Sequence, residues 1–142
     1  EAAKYLQRVH RHPEPRLKEG RILAEEGVLA AMDISDGLLD DVGKFMTASG
    51  LTAELDAGRV PVHPLMQRAF PGDALGLALA GGEDYELLYA APWSVLERTL
   101  AKLPNAALVG RVVVGAPGKV AVVDENGQEF RPQREGWDHF RS

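Results

Sequence analysis

The chain has no cysteine. That absence removes disulfides, thiolate zinc sites and cysteine nucleophiles together. It is consistent with a reducing cytoplasm, the compartment expected here. No apolar run reaches the ~18 residues that a membrane-spanning helix needs, so no membrane partner is expected. No basic stripe offsets the net charge of −5, which argues against a nucleic-acid partner. His10, His12, His63 and His139 are not spaced as metal ligands of one another, so they read as structural or solvated groups. Internal repeats and low-complexity segments are missing. So are an initiator methionine and a signal-peptide pattern. The opening Glu1-Ala2-Ala3-Lys4-Tyr5-Leu6 reads as the middle of a helix, and the expectation is that further polypeptide lies upstream.

What is present fits one domain. The chain has 142 residues, 45% of them hydrophobic and 26% charged. Domains of this length bury roughly 68% of their unfolded surface, enough for a core without staples. Residues 1–15 read as a lead-in helix and linker, broken by Pro13 and Pro15. Residues 16–142 read as the domain proper. An amphipathic helix is expected over 16–26, stopped by Gly27, and a short buried strand over 28–34. The strongest helix spans 36–49, with Leu38, Leu39, Val42, Phe45 and Met46 on one face. Gly50 ends it, and residues 51–55 alternate as a strand. Two short helices are expected around Pro71-Gly72, a strand over 85–91, and a helix with Pro92 at its first position. Strands over 108–114 and 119–123 read as a late hairpin-like pair, followed by a hairpin turn at Asn126-Gly127. The pattern predicts an α+β fold, a layered mixed β-sheet covered by helices.

Two polar knots interrupt this pattern. In Met32-Asp33-Ile34-Ser35-Asp36-Gly37-Leu38-Leu39-Asp40-Asp41, an apolar stretch turns sharply into a helix. Asp33 and Ser35 would share one face of a strand. Ser35 and Asp36 are good N-caps, and Asp40 and Asp41 complement the positive end of the helix dipole. Asp33 fits capping less well, because a carboxylate in a buried strand is costly unless it is paired or ligates a metal. Oxygen ligands of this kind select Mg2+ or Ca2+, and a helix N-terminus accepts phosphate. Asp33, Ser35 and Asp36 are therefore candidates for a metal-phosphate site. The second knot, Gly81-Gly82-Glu83-Asp84-Tyr85-Glu86, is either an exposed turn or a carboxylate held at a strand entrance. Trp137 is either a core residue or an aromatic lid over a planar ring.

Both knots, in this order, resemble the C-terminal half of thiamine-monophosphate kinase. Pro13-Glu14-Pro15-Arg16-Leu17 with Gly20, and the closing Gly136-Trp137-Asp138-His139-Phe140, are similar to the same family. The resemblance implies a fold like the C-terminal domain of the AIR synthase-related (PurM-like) superfamily. It implies phosphorylation of thiamine monophosphate to thiamine diphosphate with ATP and Mg2+. By the same resemblance Asp33 and Asp36 bind Mg2+, Ser35 contacts ATP phosphate, and Glu83 and Trp137 contact thiamine. It also implies an N-terminal half of the same polypeptide that carries much of the ATP site and forms a homodimer. The 142-residue chain alone is then expected to be inactive. Two alternatives stay open. One is a sister enzyme of aminoimidazole ribonucleotide or selenophosphate type. The other is a non-catalytic binding or assembly domain that keeps the fold.

Overall fold

The computed structural model describes residues 2–130. Pro13 and Pro15 separate α1 (Ala2–Arg11) from α2 (Leu17–Glu25), since proline donates no backbone hydrogen bond. Gly27, at φ +85°, turns the chain out of α2, and β1 (Ala30–Ile34) follows. Next comes α3 (Leu38–Ser49), closed by Gly50 in the left-handed conformation at φ +67°. Then come β2 (Thr52–Asp56), α4 (Pro64–Ala69) and α5 (Ala74–Ala80). The series ends with β3 (Glu86–Ala90), α6 (Trp93–Lys102), β4 (Gly110–Val113) and β5 (Val120–Val123). Pro92 is the N-cap of α6 rather than its first residue. Its ψ of 150° is extended, as a residue outside the helix must be.

The strands divide between two sheets. β1 and β3 pair antiparallel, with Met32 opposite Leu88 and Asp33 opposite Leu87. The other sheet has the order β4-β2-β5, with β2 antiparallel to β4 and parallel to β5. The expected pairing of the two late strands with each other does not form, because β2 lies between them. The Gly115-Ala116-Pro117-Gly118 connection does turn tightly, with Lys119 N–H donating to the Ala116 carbonyl at 3.1 Å, but it wraps the start of β2 instead of pairing β4 with β5. The Thr52 hydroxyl donates to the Ala116 carbonyl at 2.7 Å, and the Gly118 N–H donates to the Leu51 carbonyl at 3.0 Å. The Asn126-Gly127 turn does form. Asn126 and Gln128 N–H both donate to Asp124 Oδ1 at 2.9 Å, and Val123 bridges Glu129. One antiparallel and one mixed sheet covered by helices make the fold α+β.

α3 is the organising helix. It packs on β1, β2 and β5 and against α5. Leu38, Val42 and Met46 meet Ile34, Ala53, Leu55, Leu79 and Val122 in the buried cluster, as the 3-and-4 spacing requires. β1 has only its alternate residues turned toward that cluster. Ile34 is buried, whereas Ala31 and Asp33 are exposed. The expectation of a buried strand around Asp33 is therefore corrected: the period-2 pleat places its carboxylate on the side away from the α3 core. On the flank, Glu26 ties α2 to α6 by accepting from Arg98 Nε at 2.9 Å and pairing with Lys102.

Candidate functional site

The two polar knots are distant in sequence and adjoining in space. The first leaves β1 at Ile34 and turns into α3. Gly37 makes the turn at φ +125° and ψ 152°, a conformation that residues with a Cβ avoid. A Cβ there would lie 3.2 Å from carbonyl atoms of Ala80 and Gly81. Gly82 approaches as closely, and a Cβ on it would lie 3.0 Å from the Ser35 carbonyl oxygen. The second knot thus lies backbone against backbone on the first. Two hydrogen bonds fasten it: Glu83 N–H donates to the Ser35 carbonyl at 2.6 Å, and Tyr85 N–H to the Ile34 carbonyl at 2.7 Å. Holding this contact places Glu83 at φ +67° and Tyr85 at φ +51°. Non-glycine residues in this region cost on the order of 1–3 kcal/mol each and cluster at functional sites.

The interior of the turn is built by Asp41. Its side chain is 1% exposed. Its Oδ2 accepts from the N–H groups of Ser35 and Asp36 at 2.8 and 2.9 Å, and its Oδ1 from Lys44 Nζ at 3.0 Å. Burial pushes the Asp41 pKa up, but the Lys44 hydrogen bond and the two amides outweigh it and hold the carboxyl below its usual range. Lys44 also pairs with Asp36, and with Asp40 at 2.7 Å. Its hydrogen bonds to Asp36, Asp40 and Asp41, in that order, raise its own pKa. One carboxylate oxygen from each of Asp36, Asp40 and Asp41 lies within 4.8 Å of the others. These are oxygen donors of the kind that hard divalent cations take.

On the other side of the second knot, His10 Nε2 lies 3.3 Å from Glu83 Oε2. Arg16 donates twice to Glu86, at 2.8 and 2.7 Å. His10, Arg11, Pro13, Glu83 and Tyr85 line a recess of about 470 Å3. Asp84 is exposed by surface area. Even so, loss of water around its carboxyl, with the charge of Glu86 adding and His10 opposing, pushes its pKa up to about 6.

Of the residues singled out in the sequence, Ser35, Asp36 and Glu83 come together here. Asp33 stands at the exposed end of β1, outside the Asp36–Asp40–Asp41 trio. Trp137 lies outside the described residues. Neither Ser35 nor Asp36 caps α3: the N-cap is Gly37, with no side-chain cap. Lys44 was missed, although its spacing of three and four from Asp41 and Asp40 is visible in the sequence. The sequence pattern gives Asp41 only a dipole role, and nothing in it marks the burial. The pairing of His10 with Glu83 joins α1 to the second knot and has no local signal. His63 is structural, as expected, and its Nδ1 accepts from Leu65 N–H at 3.1 Å to cap α4.

The family described as AIR synthase related protein, C-terminal domain, matches residues 2–123. Thiamine-monophosphate kinase of Escherichia coli is 33% identical over 143 residues, covering 97% of this chain and 43% of that protein. The structure of AaThiL complexed with AMPPCP and TMP matches with a TM-score of 0.78 and 27% identity, over 98% of this chain and 42% of that one. Thiamine-monophosphate kinase from Stenotrophomonas maltophilia matches with a TM-score of 0.70 and 33% identity, over 81% of this chain and 37% of that one. The chain thus spans less than half the length of these relatives.

Proposed function

This chain belongs to the AIR synthase related proteins, as their C-terminal domain, and on that premise we propose that it is part of an ATP-dependent kinase that converts thiamine monophosphate to thiamine diphosphate. The observation that carries the reading is the junction of the two polar knots, fastened by Glu83 N–H on the Ser35 carbonyl. It brings a helix start rich in carboxylates against a strained acidic loop. The likeness to thiamine-monophosphate kinases over nearly the whole chain supports the same reading.

In this reading Asp33 and Asp36 hold Mg2+. Carboxylate oxygen is the donor that this cation takes, and both side chains are open to solvent, Asp33 exposed and Asp36 half-exposed. Mg2+, when bound, neutralises phosphate charge. The Ser35 hydroxyl contacts ATP phosphate. The amides of the first turn of α3 point the same way, since a helix N-terminus favours anions. Glu83 and Trp137 contact the thiamine, and a carboxylate and an indole suit a cationic aromatic ring. Phosphoryl transfer between phosphates needs alignment and charge neutralisation more than a covalent nucleophile, so fixed carboxylates and amides are the appropriate equipment. Further polypeptide, the N-terminal half in longer relatives, completes the ATP site and forms a homodimer. The 142-residue chain by itself has negligible turnover. No helix among the described residues is long and apolar enough to cross a membrane, and the enzyme is read as cytoplasmic.

Asp33→Asn tests the site in the protein that carries this domain. Asp33 is exposed, so its loss should leave the melting temperature nearly unchanged while turnover falls by orders of magnitude. A variant with normal turnover and reduced stability would make Asp33 a structural carboxylate and remove it from the site.

A further inference from the structure

We propose that Asp41 is a positioning residue, one that shapes the turn from which Ser35 and Asp36 reach the ligands. The assignment rests on the reading of residues 33–36 as the metal and phosphate contacts, and it adds the group that holds them in place.

The geometry separates this role from the ordinary ones. Helices are usually capped by a Ser or Asp side chain placed just before the first turn. α3 has both types there and uses neither, since Gly37 is an N-cap without a side-chain bond. The amides of Ser35 and Asp36 are instead taken by Asp41 from one turn inside the helix, through a single oxygen, at 2.8 and 2.9 Å. As a result the Ser35 hydroxyl has no hydrogen-bond partner among the described residues, while its backbone is fixed. The Asp36 carboxylate meets the Lys44 ammonium, a half-exposed group. The Ser35 hydroxyl is thus left available to a ligand, Asp36 is held by Lys44 at the half-exposed rim rather than by the helix amides, and a third carboxylate does the structural task from behind.

A dipole role does not account for this arrangement. Complementing the helix N-terminus needs a carboxylate in the first turn and does not require complete burial. Asp40 is exposed in that turn and meets the need. Burying Asp41 to 1% exposure carries a desolvation cost, which its three donors offset. Those donors are the two amides of the turn and Lys44, the same ammonium that meets Asp36 and Asp40. One buried group therefore sets the backbone of the turn and, through Lys44, the orientation of its outer carboxylates.

Asp41→Ala and Asp41→Asn in the protein that carries this domain test the proposal, because both remove the charge and only asparagine keeps a carbonyl oxygen for the two amides. Asp41→Ala should lower kcat/KM for ATP about a hundredfold, the loss expected when reacting groups shift by roughly 1 Å, and should speed hydrogen exchange at the Ser35 and Asp36 amides. Asp41→Asn keeps an oxygen for the two amides but sets an NH2 donor against the Lys44 ammonium, so it should keep both amides protected and lose clearly less activity than Asp41→Ala. Met46→Ala, a core truncation on the same helix remote from the turn, serves as the control for stability and should leave kcat/KM and both amides unchanged. Equal losses in the Ala and Asn variants with unchanged amide exchange would reduce Asp41 to a charge effect and overturn the proposal. A Met46→Ala variant with the kinetic loss of Asp41→Ala would overturn it as well. If Asp41→Ala does not fold, the Asn variant decides alone, and wild-type activity there with both amides unprotected refutes the assignment. Absence of turnover in the wild-type protein would sink the kinase reading, while the exchange measurement still decides what Asp41 holds.

Discussion

Replacing Gly37 by alanine puts a side chain where the two polar knots touch. At φ +125° and ψ 152° the backbone is in a region essentially reserved for glycine, and forcing another residue into it costs about 1–3 kcal/mol. The new methyl would also stand 3.2 Å from the Ala80 and Gly81 carbonyls. These belong to main chain and can yield only by shifting the loop. Gly76 is the natural contrast. It lies within α5, and a Cβ there meets nothing within 4 Å. Gly76→Ala should therefore stabilise by about 0.5–1 kcal/mol, the usual helix-interior difference between the two residues. The two substitutions, chemically identical, should differ by about 1.5–4 kcal/mol and in opposite directions from wild type. Urea unfolding read as a shift in midpoint at constant slope measures this directly. A Gly37→Ala protein as stable as wild type would refute the argument that glycine is needed for this junction. Equal effects at both positions would do the same.

Leu79 is completely buried at 0% exposure, in the cluster shared by α3, β2 and β5. Leu79→Ala should cost about 2–5 kcal/mol in the same unfolding assay, and a loss under ~1 kcal/mol would mean that the site collapses or is not buried. Asp84 gives a pH signature. Its folded pKa of about 6 stands above the ordinary 3.8, so the fold favours the protonated form. That stability is fully present below 3.8 and is lost as pH rises through about 6. Asp84→Asn should remove this dependence and leave a slightly more stable protein at neutral pH. A carboxyl resonance of Asp84 titrating near the ordinary value would contradict it.

Local patterns carried most of the helices. The 3-and-4 spacing from Leu38 to Met46, the glycine stops at positions 27 and 50, and the prolines at 13 and 15 all act within a few residues, and the chain obeys them. Pairing between remote strands was less legible. The connection at 115–118 has the glycines of a tight turn, yet β2 lies between β4 and β5. Which strand occupies a sheet centre depends on burial across the whole domain, not on the residues of the turn. The burial of single carboxylates was the least legible feature. Asp33, in an apolar run, is exposed, and Asp41, beside a polar first turn, is buried. A pleat and a helix turn decide these outcomes by direction, and identity alone does not reveal direction. The candidate site was found because its chemistry is concentrated in two short segments. Their contact depends on Gly37 and Gly82 facing each other's backbone, which no sequence distance encodes.

The measurement that bears most directly on this account is an assay of the protein carrying this domain for ATP- and Mg2+-dependent conversion of thiamine monophosphate to thiamine diphosphate. The account predicts turnover that requires both ATP and the divalent cation, and that disappears with the 142-residue chain alone. A folded, ATP-binding protein that leaves thiamine monophosphate untouched would contradict the thiamine assignment.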